Sequence, residues 1–189
     1  FFDRRLRVNL SAFYYDYKDL QVNLFNPATG GATSTVTNAA SAEIKGIEAE
    51  IASRLVSRLD MDASLALLDA KYQRFESANP DSANPFAPQD LGGNTLPRAP
   101  KMTAAAGVQY AWSVGGPRML ELRAEARYQS HTWFDQFNSA SVDQGGYTLF
   151  NAFATLRSDD RWRLRIYGRN LTDKLYKQSV VRATSLIGT

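Results

Sequence analysis

The sequence predicts an all-β protein, an antiparallel transmembrane β-barrel to which this chain contributes about seven to eight strands. Apolar and polar residues alternate with a period of two in segment after segment, which is typical of strands with one face buried in an apolar medium. Long polar connections alternate with short turns, as in bacterial outer-membrane barrels. Aromatic residues make up 12% of the 189 residues, and they collect near the predicted strand ends.

The composition excludes several other classes. No apolar run approaches the roughly 18 residues that a membrane-spanning helix needs. The 22 Lys and Arg residues exceed the 19 Asp and Glu residues by only three, so we expect no nucleic-acid partner. The chain has no cysteine, which excludes disulfide scaffolds, cysteine zinc sites and thiol catalysis.

The clearest strand runs from Met119 to Gln129. As a helix, this segment would set Glu121 against Glu125 and Arg123 against Arg127, like charges one turn apart. As a strand, it has a charged face that must meet water and an apolar face that we predict to face lipid. The predicted lipid-facing residues are Leu120, Leu122, Ala124, Ala126 and Tyr128, and the predicted lumen-facing residues are Glu121, Arg123, Glu125 and Arg127.

Alternation also predicts strands over residues 5–14, 59–67, 101–112, 150–156 and 162–168. It adds Met102, Val108, Leu164 and Ile166 to the lipid-facing set, and Glu48, Glu50, Arg163 and Arg165 to the lumen-facing set. Between residues 40 and 52 the apolar positions change parity, from Ala42 and Ile44 to Ile47, Ala49 and Ile51. We interpret this change as a β-bulge at Lys45-Gly46. The total is about seven strands.

The connections divide by length. Residues 18–34, 76–99 and 135–146 are predicted to be long loops, whereas 53–57, 113–118 and 158–161 are predicted to be short turns. Trp112 and Trp162 flank the short turns. Near the long loops lie Tyr14, Tyr15, Tyr17, Tyr72, Tyr128, Trp133 and Phe134. This distribution predicts two aromatic belts, one at each membrane interface.

Four segments resemble the C-terminal barrel region of TonB-dependent receptors, the Gram-negative outer-membrane transporters of iron chelates, cobalamin and some sugars. They are RLRVNLSAFYYDYKDLQV (Arg5 to Val22), IKGIEAE (Ile44 to Glu50), NTLPRAPK (Asn94 to Lys101) and GRNLTDKLY (Gly168 to Tyr176). Each motif is short, but the four occur in order over nearly the whole chain.

The resemblance implies a barrel of about 22 strands, with residues 1–189 forming a partial barrel domain from roughly its last third. A plug domain and a TonB box would lie in an N-terminal part, and a final strand would follow. The implied function is TonB-energised uptake of a scarce nutrient, such as a ferric siderophore, across the outer membrane. The implied partners are outer-membrane lipid, a TonB-type energy-transducing complex and a small-molecule ligand, with no cofactor, no metal and no enzymatic activity.

Outer loops bind ligand in such receptors, which makes the aromatic loop residues candidates for ligand contact by stacking. The candidates are Phe86, His131, Trp133, Phe134 and Phe137. The alternative for these side chains is the aromatic belt at the membrane interface. His131 has no neighbouring ligand cluster, and the spacing of Asp81 and Asp90 matches no EF-hand loop.

Two other classes remain open at this stage. One is a smaller complete outer-membrane barrel of about eight strands, such as a porin or an adhesin. The other is a soluble carbohydrate-binding β domain. The odd number of predicted strands argues against the first alternative, and the segregation of loop lengths argues against the second.

Overall fold

The computed structural model describes residues 2–3, 5–26, 33–79, 82–84, 87–159 and 161–180, and at 23–26, 33–39 and 55 it describes the backbone alone. Within these residues, no helix has the length and hydrophobicity of a membrane-spanning segment. The described elements are strands, apart from one short 3-10 turn at Ala140–Val142.

The strands form one large antiparallel sheet and two small ribbons. In chain order they are β1 (Leu6–Asn26), β2 (Thr33–Val56), β3 (Leu59–Arg74), β4 (Glu76–Ala78), β5 (Pro88–Asp90), β6 (Met102–Ser113), β7 (Arg118–Gln129), β8 (Thr132–Trp133), β9 (Asp143–Gln144), β10 (Tyr147–Ser158) and β11 (Trp162–Gly168). The seven-stranded sheet has the order β1-β2-β3-β6-β7-β10-β11, while β4–β5 and β8–β9 pair within the long connections. The predicted all-β antiparallel class is confirmed. Among the described residues, β1 and β11 are the two edges of an open sheet.

The register sorts the side chains into two faces. Ala63 pairs with Ala106, and Ala106 with Ala126, so apolar residues meet apolar residues across the strands. We name this side the apolar face, and it exposes large hydrophobic side chains such as Leu10 (74%) and Ile166 (68%). The opposite side, the polar face, carries the charged rows of β2, β3, β7, β10 and β11.

The residues predicted to face lipid and those predicted to face the lumen lie on opposite faces of the sheet. On the apolar face lie Met102, Val108, Leu120, Leu122, Ala124, Ala126, Tyr128, Leu164 and Ile166. On the polar face lie Glu48, Glu50, Glu121, Arg123, Glu125, Arg127, Arg163 and Arg165. The geometry places each set on one side of the sheet; contact with lipid or with a lumen stays a prediction.

The predicted bulge at Lys45-Gly46 is wrong. The β2–β3 register runs without interruption from Ala42↔Tyr72 to Ser53↔Met61. The apolar residues change from one face to the other because β2 extends beyond the part of the sheet in which the apolar face carries hydrophobic side chains, a part that we name the apolar band. No residue is inserted. Beyond the band, Ala42 and Ile44 lie on the polar-face side, while Glu43 and Lys45 take the other side.

The long loop predicted over residues 18–34 is largely strand instead. β1 and β2 pair up to Asn26↔Thr33, and the register shifts occur on either side of Leu20. Because polar and β-branched residues also form strands, the loss of apolar alternation did not end the pairing. The turn predicted at 53–57 is shorter as well, since β2 continues to Val56 and β3 begins at Leu59.

The short turns lie at one end of the sheet and the long connections at the other. Residues with positive φ close the short-turn end, at Arg58 (65°), Gly115 (98°), Gly116 (58°) and Asp159 (41°). The long-loop end carries the β4–β5 and β8–β9 ribbons. The predicted segregation of connection lengths is therefore present for residues 76–99 and 135–146, whereas much of residues 18–34 is strand.

Gly46 provides a test of the register in β2. A Cβ at this position would lie 2.6 Å from the carbonyl oxygen of Leu67 and 2.6 Å from Cζ of Phe13. The ring can move but the backbone oxygen cannot, so we expect Gly46→Ala to lower the free energy of unfolding by about 1–3 kcal/mol. Urea unfolding of the full-length protein measures this difference.

Gly145→Ala is the matched control, because nothing lies within 4 Å of a Cβ built at that position. We expect its free energy of unfolding to stay within about 0.5 kcal/mol of the unaltered protein. Equal effects of the two substitutions would contradict the packing described at Gly46.

Candidate functional site

The middle of the polar face carries an ionic network centred on Arg123. Its two terminal nitrogens donate to the two carboxylate oxygens of Asp62 at 2.7 and 3.0 Å. Its Nε donates to Oε1 of Glu125 at 2.8 Å. Asp62 lies on β3 and Arg123 on β7, with β6 between them. One guanidinium therefore ties together the two strands that flank β6.

Gly107 of β6 makes this crossing possible. It pairs with Asp62 on one side and with Glu125 on the other. A Cβ at position 107 would lie 2.3 Å from one terminal nitrogen of Arg123 and 2.8 Å from Oδ2 of Asp62. The Arg123 side chain thus occupies the space that any side chain at position 107 would take.

Further polar contacts continue the charged rows toward β11. Arg157 donates to Glu121 at 2.9 Å across β7 and β10. The guanidinium of Arg165 lies 4.6 Å from the centre of the Phe153 ring, within the range of a cation–π contact. These side chains form rows along the strands. In the described part of the chain, no three His, Asp or Glu residues are grouped as a metal site would require.

At the long-loop end, the polar-face side becomes a small hydrophobic core. We name it the loop core. It consists of buried Ala40, Tyr72, Phe75 and Leu91, with Leu20, Val22, Leu96 and Phe137 packed against it. The Tyr72 and Phe75 ring centres lie 4.8 Å apart, and Tyr72 is only 5% exposed.

The chain before β6 is held along β3. Leu96 N–H donates to the carbonyl of Ala70 at 3.0 Å, and Tyr72 N–H donates to that of Asn94 at 2.9 Å. These bonds occupy the edge of β3 beyond the point where its pairing with β6 ends. As a result, the segment NTLPRAPK (Asn94 to Lys101) lies along β3 toward the long-loop end of the sheet before the chain enters β6.

The two described long connections are joined by Asn138. Its Oδ1 accepts from the N–H of Thr95 at 2.8 Å, and its Nδ2 donates to the Thr95 carbonyl at 2.9 Å. Asn94 adds a bond from its Nδ2 to the carbonyl of Gln136 at 3.0 Å. The loops therefore form one unit at the end of the polar face.

The candidate ligand residues fall into different settings. Nε2 of His131 lies 2.7 Å from Oδ2 of Asp143. The His131 ring is edge-on to the Trp133 ring, with their centres 4.3 Å apart. Phe137 packs on the loop core, whereas the backbone N–H of Phe134 donates a hydrogen bond to the carbonyl of Val142. Phe86 lies outside the described residues. Ligand contact by any of these side chains stays a prediction.

The aromatic belt predicted near the long loops is wrong for part of its members. Tyr14 and Tyr128 lie on the apolar face, but Tyr15, Tyr17 and Tyr72 lie on the polar-face side. Adjacent residues of a strand point to opposite faces, so Tyr14 and Tyr15 could not share one belt. This alternation is visible in the sequence, and it places Phe13, Tyr15 and Tyr17 together on the face opposite Tyr14.

Three rings step along the polar face of β1. The ring centres of Phe13 and Tyr15 are 5.5 Å apart, and those of Tyr15 and Tyr17 are 5.9 Å apart. Tyr15 is 50% exposed and Tyr17 44% exposed. We name Phe13, Tyr15 and Tyr17 the β1 ladder; it lies between the loop core and the charged rows.

A sheet with an exposed apolar face, an ionic opposite face and long loops at one end defines the wall of a transmembrane antiparallel β-barrel. Residues 1–171 match the family model described as TonB dependent receptor-like, beta-barrel. The chain belongs to this family.

Solved structures show the same fold. The ferric yersiniabactin uptake receptor FyuA from Yersinia pestis superposes with a TM-score of 0.75 at 20% identity, over 96% of this chain and 25% of its own. The siderophore receptor PiuA from Acinetobacter baumannii gives 0.70 at 20% identity, over 93% and 23%. The ferric-catecholate import receptor Fiu from Escherichia coli K12 gives 0.65 at 18% identity, over 94% and 22%. The chain thus spans about a quarter of the length of these proteins.

The hydrogen bonds from Arg123 to Asp62 across Gly107 can be tested in the full-length protein. Gly107→Ala displaces the guanidinium of Arg123 from Asp62, and we expect the free energy of unfolding to fall by about 1 kcal/mol, the usual size of a partly exposed ion pair. In an Arg123→Met background the same glycine substitution should cost almost nothing. A double-mutant cycle measures the difference. An equal cost in both backgrounds would show that Gly107 serves some purpose other than the Arg123 crossing.

Proposed function

We propose that residues 1–189 form part of the barrel domain of an outer-membrane receptor that imports a scarce nutrient, such as a ferric siderophore, by TonB-energised transport. The observation that carries the proposal is the pairing of a two-faced barrel wall with a loop unit at one end of its polar face. Membership of the TonB-dependent receptor family and the structural neighbours named as siderophore receptors support the same function.

In this proposal the apolar face contacts outer-membrane lipid and the polar face lines the barrel lumen. Exposed side chains such as Leu10 and Ile166 then lie in hydrocarbon, where their burial is favourable. The ion pairs of Arg123 and Arg157 lie in a wet interior, which a charged face requires. The long-loop end is extracellular, as long connections are in bacterial barrels.

The mechanism assigns this part of the receptor a passive role in transport. Ligand is captured by the outer loops, and His131, Trp133, Phe134, Phe137 and Phe86 are the candidates for contact. It then passes into the lumen when a plug domain in another part of the protein moves under the action of a TonB-type complex. The wall makes and breaks no covalent bond, so we assign no enzymatic activity.

Uptake of iron tests the function. The full-length gene, expressed in a Gram-negative host lacking its own siderophore receptors, should restore growth on a ferric chelate under iron limitation. Accumulation of radioactive iron from the chelate should stop when the proton gradient is dissipated or TonB is deleted. Uptake that persists without TonB would instead indicate a passive pore.

The assignment of the apolar face is tested by Leu122→Arg. If Leu122 lies near the bilayer midplane, the arginine should cost about 2–4 kcal/mol of folding free energy in lipid vesicles. Unfolding of the full-length receptor in urea, starting from vesicles, measures this cost.

Ser64→Arg is the matched control on the opposite face. Ser64 pairs with Glu50 across β2 and β3, so an arginine there meets water and a carboxylate. We expect its folding free energy to stay within about 0.5 kcal/mol of the unaltered receptor. A larger penalty at position 64 than at position 122 would mean that the two faces have been assigned in reverse.

A further inference from the structure

A cavity of about 640 Å³ lies toward the long-loop end of β1, β2 and β3. Its volume falls within the roughly 300–1,000 Å³ of small-molecule sites. We name this cavity the outer pocket. Polar residues from all three strands and from the β4–β5 ribbon line it, among them Lys18, Asp19, Ser41, Arg74, Glu76 and Asp90.

Two irregularities in strand pairing open the sheet around Ser41. On the β1 side, two residues, Lys18 and Asp19, stand opposite the single residue Ser41, and Asp19 has a positive φ of 55°. On the β3 side, the register shifts between Ser41 and Ala42, which leaves Gln73 unpaired. β-bulges of this kind re-aim side chains and are common next to active sites. The extra residues on both neighbouring strands turn the sheet at Ser41 into a depression.

The outer pocket opens on the side of the sheet that continues the apolar face. Ala40 belongs to the loop core and Ala42 lies on the polar-face side, so Ser41 between them points the other way. Nε2 of Gln73 donates to Glu43 at 3.2 Å on that same side. The pocket therefore faces away from the proposed lumen and from the path of an imported ligand.

The outer pocket also lies beyond the apolar band. Ile47 is the last residue of the band on β2, and about 20 Å of strand separates it from Ser41. Between them, Glu43 and Lys45 form an ion pair at 2.7 Å. In the proposed orientation, the pocket thus stands outside the hydrocarbon, where headgroup sugars and the external solution can reach it.

Ser41 is a second and independent indication that the pocket takes a ligand. Its side chain lines the cavity, although the residue is only 7% exposed. In the described part of the chain, the Ser41 hydroxyl has no hydrogen-bond partner. Buried polar groups are almost always hydrogen-bonded in folded proteins. A polar group of a ligand at this point would complete the site.

The lining favours one ligand chemistry over others. Three carboxylates, those of Asp19, Glu76 and Asp90, outnumber the two cationic side chains, so a simple anion would meet net negative charge. Across the described residues, no three His, Asp or Glu side chains are grouped as a metal site requires. An apolar ligand would remove water from the charged groups without replacing its hydrogen bonds.

A sugar ring meets these requirements. Its neighbouring hydroxyls both donate and accept, so they can satisfy a carboxylate, a guanidinium and a serine hydroxyl together. Among the described residues, the side chains of Arg74 and Glu76 have no ion-pair or hydrogen-bond partner. A donor and an acceptor are therefore available at the edge of the pocket beside Ser41.

We propose that the outer pocket binds a sugar ring at the cell surface, with Ser41, Arg74 and Glu76 hydrogen-bonded to its hydroxyls. The sugar comes either from the headgroup of an outer-leaflet glycolipid or from a free oligosaccharide. The proposal goes beyond the proposed function, because the site lies on the outside of the barrel wall and takes no part in import. It shares with that function only the outward orientation of the long-loop end.

The test uses the full-length receptor in detergent with two probes, a lipopolysaccharide with a short sugar core and the free core oligosaccharide released from it by mild acid. Microscale thermophoresis of the labelled receptor gives the Kd of each. We expect at least about tenfold weaker binding to the Arg74→Ala/Glu76→Ala variant, because two charged hydrogen-bonding groups are lost. Ser41→Ala should weaken binding by a smaller factor. Binding of both probes identifies the sugar alone as sufficient, whereas binding of the lipopolysaccharide alone identifies the glycolipid.

Asp69→Ala/Lys71→Ala is the matched control. These residues form an ion pair at 2.9 Å on the same side of β3 but outside the pocket, so the control removes the same two charges. Its Kd should stay within about twofold of the unaltered receptor. Resistance of the folded barrel to denaturation in detergent gels shows that each variant is folded.

Three results would overturn the proposal. They are an unchanged Kd in the Arg74→Ala/Glu76→Ala variant, equal weakening in that variant and in the control, and no binding of either probe to the unaltered receptor. Iron uptake by the pocket variant should match that of the unaltered receptor. A loss of uptake would place the pocket on the import path and contradict its assignment to the outside of the wall.

Discussion

The antiparallel register is the constraint on which the rest of the structure depends. Because side chains alternate along a strand, one register fixes the members of both faces across all seven strands. A slip of one residue in β7 would move Glu121, Arg123 and Glu125 onto the apolar face and break the bridge to Asp62. The apolar face exposes large hydrophobic side chains such as Leu10 and Ile166, and exposed apolar surface of this kind marks a membrane or protein contact. The same register therefore builds both the ionic rows and the face that we predict to contact lipid.

The polar face changes in character along the strand direction. Next to the long loops it is a hydrophobic core, then an aromatic strip on β1, and then a set of ion pairs. Two glycines allow these transitions, since Gly46 accommodates the ring of Phe13 and Gly107 accommodates the guanidinium of Arg123. In both places a missing side chain leaves room for a side chain of the neighbouring strand, which is a common use of glycine inside sheets.

Much of the sheet could be predicted from sequence because alternation is a local signal. The strand around Leu122 and the strand from Trp162 to Gly168 follow directly from period two. The error at Lys45-Gly46 arose from the assumption that one face stays apolar along the whole strand, whereas the two sides exchange character where β2 leaves the apolar band. For the same reason the strand residues within 18–34 were predicted to be a loop, because paired strands beyond the apolar band need no alternation of apolar and polar residues.

The loop unit and the candidate site were less predictable for a different reason. The bonds of Asn138 to Thr95 and the packing of Phe137 on the loop core join segments far apart in sequence, and no periodicity reports such contacts. The β1 ladder was missed although its signal was present, since consecutive aromatic residues in a strand must divide between two faces.

The most direct test of the two-faced wall is an accessibility scan along β7. The chain has no cysteine, so single cysteines at residues 120–129 of the full-length receptor, with any cysteines elsewhere removed, can carry spin labels in lipid bilayers. The proposed assignment of the faces predicts strict alternation, with even-numbered positions accessible to oxygen dissolved in lipid and odd-numbered positions accessible to a water-soluble nickel reagent. Uniform accessibility along the strand, or alternation of the opposite phase, would contradict the assignment of the faces.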